Sequence, residues 1–167
     1  MNSLKHEMRL IFEKKRSDEL GYGYNILEDG LLEKILNLSI FNPYAFENQP
    51  WNIVVVKSSG AREKLFKLSE MQHVFLEAAV TLILTKCSSQ DCNYESRLVA
   101  MSLMYASKYY GLNSSVVQEV DLEGIKRYLN IPDNETICNI ICLGYFDNNC
   151  SGSFQRSFKY SKVVREV

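Results

Sequence analysis

Apolar positions along the chain follow two alternating rhythms. From Ser3 to Lys15, Leu4, Met8, Ile11 and Phe12 form one stripe while Lys5, Glu7, Arg9 and Glu13 lie elsewhere, the period of an amphipathic helix. The Gly- and Tyr-rich stretch from Glu19 to Gly30 reads as loop, and Asp29 is placed to cap a helix that turns Leu31, Leu32, Ile35, Leu36 and Leu38 to a core. Then the rhythm changes. Trp51, Ile53 and Val54–Val56 form a short β-branched run between Pro50 and the polar Lys57–Gly60, which predicts a buried strand. Ser58 or Ser59 caps a helix to about Glu70 built on Leu65, Phe66 and Leu68, and Ala78 to Thr85 gives a second buried strand.

Beyond a short polar connection from Cys87 to Asn93, a helix from Tyr94 to Tyr110 is apolar almost all round. That pattern places it in the middle of the domain or in a subunit interface. Gly111 stops this helix, Ser114 to Val120 reads as a third strand, and Asp121 caps a helix from Leu122 to Asn130 with Ile125, Tyr128 and Leu129 inward. Pro132 closes that unit, and Thr136 to Tyr145 gives a fourth strand, with Gly144 suggesting a close backbone approach. The chain turns polar after Asp147 and ends in a basic tail whose Val163–Val164 pair needs an apolar partner, pointing to a second subunit. Strands interleaved with helices predict an α+β or α/β sandwich.

At 167 residues the chain is expected to be one domain, spanning 1–167, able to bury roughly 70% of its unfolded surface. A net charge of −1 gives no footprint for nucleic acid. There is no apolar run long enough to cross a membrane and no secretory pattern, so the chain is expected to be cytoplasmic with no membrane partner. Five cysteines form no CxxC pair, which argues for reduced thiols and against structural zinc. Strand spacing puts Cys138 and Cys142 on one face as small core residues. With His6 and His73 the only histidines and no nucleophile motif beside them, acyl transfer is set aside.

Two clusters carry candidate chemistry. Lys14, Lys15, Arg16 and Ser17 combine cations with a hydroxyl, which suits a phosphate but equally a solvated helix end. Asn48 and Gln49, held by Pro50 at the entrance of a strand, offer a two-amide edge that suits a flat heterocycle with alternating donors and acceptors; the same amides serve as loop caps.

In their order along the chain these features resemble the FMN-dependent nitroreductase family over nearly its whole length. The likeness runs through Lys15-Arg16-Ser17 at a helix end and the Asn48-Gln49-Pro50-Trp51 hinge before a strand. It continues in the Ala78–Leu84 strand, the Gly111-Leu112 turn, Asp121 at a helix start and the Ile131-Pro132 pair, and ends in Leu143–Tyr145 and the basic tail. The resemblance implies a three-layer sandwich with a central, mainly antiparallel sheet flanked by helices. It also implies a homodimer in which the tail, residues 147–167, reaches the partner's sheet. It further implies FMN at the subunit interface, NADH or NADPH as hydride donor, and a nitroaromatic, quinone or similar acceptor served by a ping-pong cycle. Lys15 and Ser17 would hold the phosphate with Arg16 beside them, and Asn48 and Gln49 would meet the flavin ribityl or ring. Gln118 stands where the family offers a backbone N–H to flavin N5, and Arg156 or Lys159 would be the tail's contribution. No catalytic side chain and no metal is implied, and Trp51 is left in the core.

The chain also departs from the family pattern. Glu19 stands where a second cation is common, Tyr44, Ala45 and Phe46 replace small hinge residues, Glu47 takes the place of the usual Asn, and Gln118 and Glu119 stand where glycines or small residues are frequent. The short connection from Cys87 to Asn93 implies an open acceptor site. These departures keep a second reading in view, a flavin- or ligand-binding protein that retains the fold without turnover.

Overall fold

The computed structural model describes residues 22–23, 27–40, 51–70, 72–87 and 93–146. Within them the elements run β1 (Tyr22–Gly23), α1 (Asp29–Ile40), β2 (Trp51–Val56), α2 (Ser59–Lys67), α3 (Val74–Glu77), β3 (Val80–Cys87), α4 (Asn93–Tyr109), β4 (Leu112–Val117), α5 (Leu122–Leu129) and β5 (Glu135–Phe146).

Every strand pairing is antiparallel. Strand β5 is central, with β3 on one flank and β4 on the other; β2 extends the sheet beyond β3. The two-residue β1 lies in line with β3, pairing Tyr22 with Phe146 and Gly23 with Tyr145. Helices cover both faces, so the residues of β3 from Val80 to Lys86 are all buried. On one face α1 and α4 pack Leu32, Ile35, Val99, Leu103 and Ala106 against Leu82, Leu84, Ile141 and Leu143. On the other, α2, α3 and α5 bring Leu65, Phe75 and Ile125 against Ile83, Ile140 and Cys142. The result is the expected three-layer sandwich around an antiparallel sheet.

Local signals set the helix ends. The Ser58 hydroxyl accepts from the Ala61 N–H at 3.4 Å, and Asp121 Oδ1 accepts from the Gly124 N–H at 2.9 Å. Helix α4 ends with Gly111 at φ +79°, a conformation glycine adopts without penalty.

Five expectations need correction. The Gly-Tyr segment is not loop throughout, since Tyr22–Gly23 joins the sheet. The one-turn helix α3 displaces the start of β3 to Val80, because Ala78 caps it. Strand β2 is an edge strand rather than a buried one: only Trp51 and Val56 are buried, and Val55 is 37% exposed, because no strand lies beyond it among the described residues. Leu38 and Tyr128 face outward. On α4, Tyr94, Met101 and Tyr109 are 70%, 47% and 73% exposed in the single chain, which rules out only the domain-interior placement for that face. Cys138 and Cys142 do not share one buried face either. Leu84 pairs with Asn139 but Thr85 with Ile137, so Cys138 is the extra residue of a β-bulge. The bulge puts Ile137 and Ile140 in the same core and leaves Cys138 half-buried.

Two measurements follow from this packing. Trp51 is buried against the α1/α4 core, so Trp51→Ala is expected to lower unfolding free energy by about 3–5 kcal/mol in urea titration. Cys142 is wholly enclosed, and burial pushes its thiol from 9.0 up to about 12. From pH 9 to about 12 the unfolded chain gives up this proton while the folded chain keeps it, so stability falls as pH rises through that window. Cys142→Ala is expected to flatten this alkaline decline in pH-dependent unfolding curves, whatever its effect at neutral pH.

Candidate functional site

The sheet is incomplete at one end. There β2 begins, β3 ends, β5 begins and β4 ends, and one row across it reads Trp51, Lys86, Thr136. Strand β4 stops short: its last pair is Val117 with Ile140, so Glu135 to Asn139 of β5 run on with no strand beside that flank among the described residues. The notch so formed is bounded by the turn leaving β4, the free flank of β5 and the first turns of α4.

Polar groups line this end. Asn139 Nδ2 donates to the Ser96 carbonyl at 3.4 Å, tying β5 to the start of α4. The bulged Cys138 donates its thiol to the Thr136 carbonyl at 3.5 Å. Burial pushes that thiol up, opposed by Ser96 and by the charge of Lys86, so it stays protonated at neutral pH. Lys86 is itself buried. On the opposite face the Glu135 carboxylate accepts from Asn52 Nδ2 at 3.1 Å and from the Thr85 hydroxyl. These bonds fix the ends of β2, β3 and β5 together.

The turn from β4 to α5 is locked by its backbone. Asp121 donates its N–H to the Leu68 carbonyl at 2.8 Å, Val120 bridges Ser69, and the Glu70 N–H donates to the Glu119 carbonyl at 3.4 Å. Between these contacts Glu119 holds φ +62°, a left-handed conformation that side chains other than Asn and Asp rarely adopt. Its own N–H donates to no group among the described residues. This strain ends β4 at Val117 and leaves Gln118 and Glu119 exposed at the notch.

Of the residues singled out in the sequence, Gln118 lies at this notch. Lys15, Arg16, Ser17, Asn48, Gln49, Arg156 and Lys159 lie outside the described residues. The hinge carrying Asn48 and Gln49 nevertheless leads into Trp51, the residue that opens β2 at this same end. Lys86, Ser96, Cys138 and Asn139 were not foreseen here; the one signal for Lys86 is a charge closing an apolar run. No group of metal-ligating side chains occurs among the described residues, and no helix among them is long and apolar enough to cross a membrane.

No family model matches the chain. A protein of Methanothermobacter thermautotrophicus named "Putative NADH dehydrogenase/NAD(P)H nitroreductase" is 29% identical over 127 residues, 69% of this chain and 65% of that one. The match thus spans less than two thirds of that relative's length. A protein of the same name from Archaeoglobus fulgidus is 26% identical over 141 residues, covering 74% of this chain and 77% of that one. Among solved structures, a nitroreductase-like protein from Streptococcus mutans superposes with a TM-score of 0.82 at 18% identity, covering 98% of this chain and 99% of that one. An FMN-dependent nitroreductase from Clostridium difficile does so with a TM-score of 0.79 at 18% identity, covering 95% and 97%. The three-layer sandwich is therefore the nitroreductase fold. The resemblance to the nitroreductase family carried by the ordered motifs holds both in these relatives and in the architecture.

The strained turn generates a stability prediction. Glu119→Gly relieves a left-handed residue at some gain in unfolded-chain entropy, so it is expected to raise stability by about 0.5–1 kcal/mol. Glu119→Val is expected to lower it, and paired urea titrations of the two variants check the sign.

Proposed function

We propose that the protein is an FMN-dependent oxidoreductase that takes electrons from NADH or NADPH and delivers them to a nitroaromatic, quinone or similar acceptor in a ping-pong cycle. The observation that carries this reading is a convergence. Trp51, which directly follows the Asn48-Gln49-Pro50 motif in sequence, and the Gln118 turn stand at the same end of a sheet built like that of an FMN-dependent nitroreductase.

The residues present suit such a cofactor. An isoalloxazine edge is rich in acceptors, and the notch offers the unengaged Glu119 N–H beside the neutral amide of Gln118. When bound, FMN supplies the electron chemistry, and the protein binds, orients and tunes it. Lys15 and Ser17 hold the phosphate with Arg16 alongside, Asn48 and Gln49 meet the ribityl chain or ring, and Arg156 or Lys159 adds a cation from the tail. The working unit is a homodimer. The exposed stripe of Tyr94, Met101 and Tyr109 on α4 and the open edge of β2 give a second copy and its tail, residues 147–167, surfaces to cover.

An absorbance scan of the purified protein tests the reading, with flavin bands expected; NADH oxidation with menadione or a nitrofuran then demonstrates turnover. Lys15→Ala combined with Ser17→Ala is expected to release flavin while leaving the thermal unfolding transition in place. A colourless protein that leaves added FMN unbound supports the second reading instead, a ligand-binding protein that keeps the fold without turnover.

A further inference from the structure

We propose that Glu119 sets the reduction potential of the bound flavin, holding it low through an exposed carboxylate, unpaired among the described residues, on a fixed backbone at the mouth of the notch. This rests on the FMN reading above and concerns the same site. Glu119 is exposed, and its backbone is pinned through Glu70, Val120 and Asp121, so the side chain springs from an immobile point. Its carboxylate makes no hydrogen bond or ion pair among the described residues.

Among the described residues, those bonded to this turn bring no compensating charge. Glu70 and Asp121, linked to this turn by backbone bonds, are both acidic, and the Asp121 carboxylate is engaged in capping α5. Of the two cations in the last turn of α2, Lys64 and Lys67, the one nearer the turn in sequence, Lys67, is paired with Glu63 at 2.7 Å. A charged residue at a left-handed position that glycine fills without strain is a structural expense with no return in packing, since the side chain lies in solvent.

Reduction by NADH or NADPH brings two electrons and one proton to the ring, which therefore gains one negative charge as the nicotinamide becomes positive. The same two electrons and proton, with one proton from solvent, later pass to the acceptor and restore the neutral ring. A fixed negative charge near the ring opposes the charged form only. Reduced flavin then binds less favourably than oxidised flavin, by about tenfold for a carboxylate near a protein surface. For a two-electron couple, tenfold corresponds to about 30 mV.

The test measures the flavin midpoint potential by dye equilibration in the full-length holoprotein. Glu119→Gln is expected to raise it by about 30 mV, Glu119→Asp to leave it near wild type, and 1 M salt to shrink the difference. Glu119→Gly removes the charge without backbone strain and is expected to raise the potential as Gln does, which keeps the test decisive if the Gln variant misfolds. Wild-type and charge-free variants that bind FMN with equal potentials overturn this proposal alone. A wild-type protein that binds no FMN overturns the cofactor reading itself and this proposal with it.

Discussion

The antiparallel pairing of β3 with β5, enclosed on both faces, obliges every polar group on these strands to find its partner inside the protein. Backbone ladders satisfy the main chain, and several of the polar side chains find partners nearby. Thr81 meets the Cys142 sulfur at 3.4 Å, Thr85 meets Glu135, and Asn139 reaches the α4 backbone. Enclosure also dictates the surrounding layers. A sheet apolar on both sides needs helices above and below, which α1 and α4 provide on one face and α2, α3 and α5 on the other.

The proposed site lies where this regularity is interrupted. Strand β4 cannot continue past Val117 because Glu119 turns left-handed, and β5 carries its bulge at Cys138. Both irregularities fall at the same end of the sheet, where β5 is left with a bare flank. Strained residues of this kind persist only where the surrounding structure holds them, and the clamp from Leu68 to Glu70 does so for Glu119. A rigid sheet with one unfinished edge is a scaffold that can receive a flat ligand without rearranging its core.

Much of the architecture was legible because apolar runs, caps and glycine stops agreed with one another. Strands β2, β3 and β5, helices α1, α2, α4 and α5, the caps at Ser58 and Asp121 and the stop at Gly111 all stand where patterning puts them, within a turn or less. The misses have physical reasons. Two residues, one of them glycine, carry no strand signal in β1, and a single helical turn such as α3 has no period to detect. Whether β2 is an edge or an interior strand depends on what lies beyond it, which its valines cannot disclose. The side-chain parity of β5 was misread because a bulge leaves no local mark in TICNIICLGY. Gln118, at the end of β4, was singled out through family likeness and motif order, whereas Ser96, Asn139 and Cys138 meet only through tertiary pairing. Lys86 reads in one dimension as an ordinary strand boundary.

The short pairing of Tyr22 with Phe146 has a topological consequence. It brings the start of the described chain and the end of its last strand to one corner of the sheet, about 5 Å apart. Two basic stretches, Lys14–Arg16 before that corner and Arg156 with Lys159 after it, are thus tethered to a common root despite standing at opposite ends of the sequence.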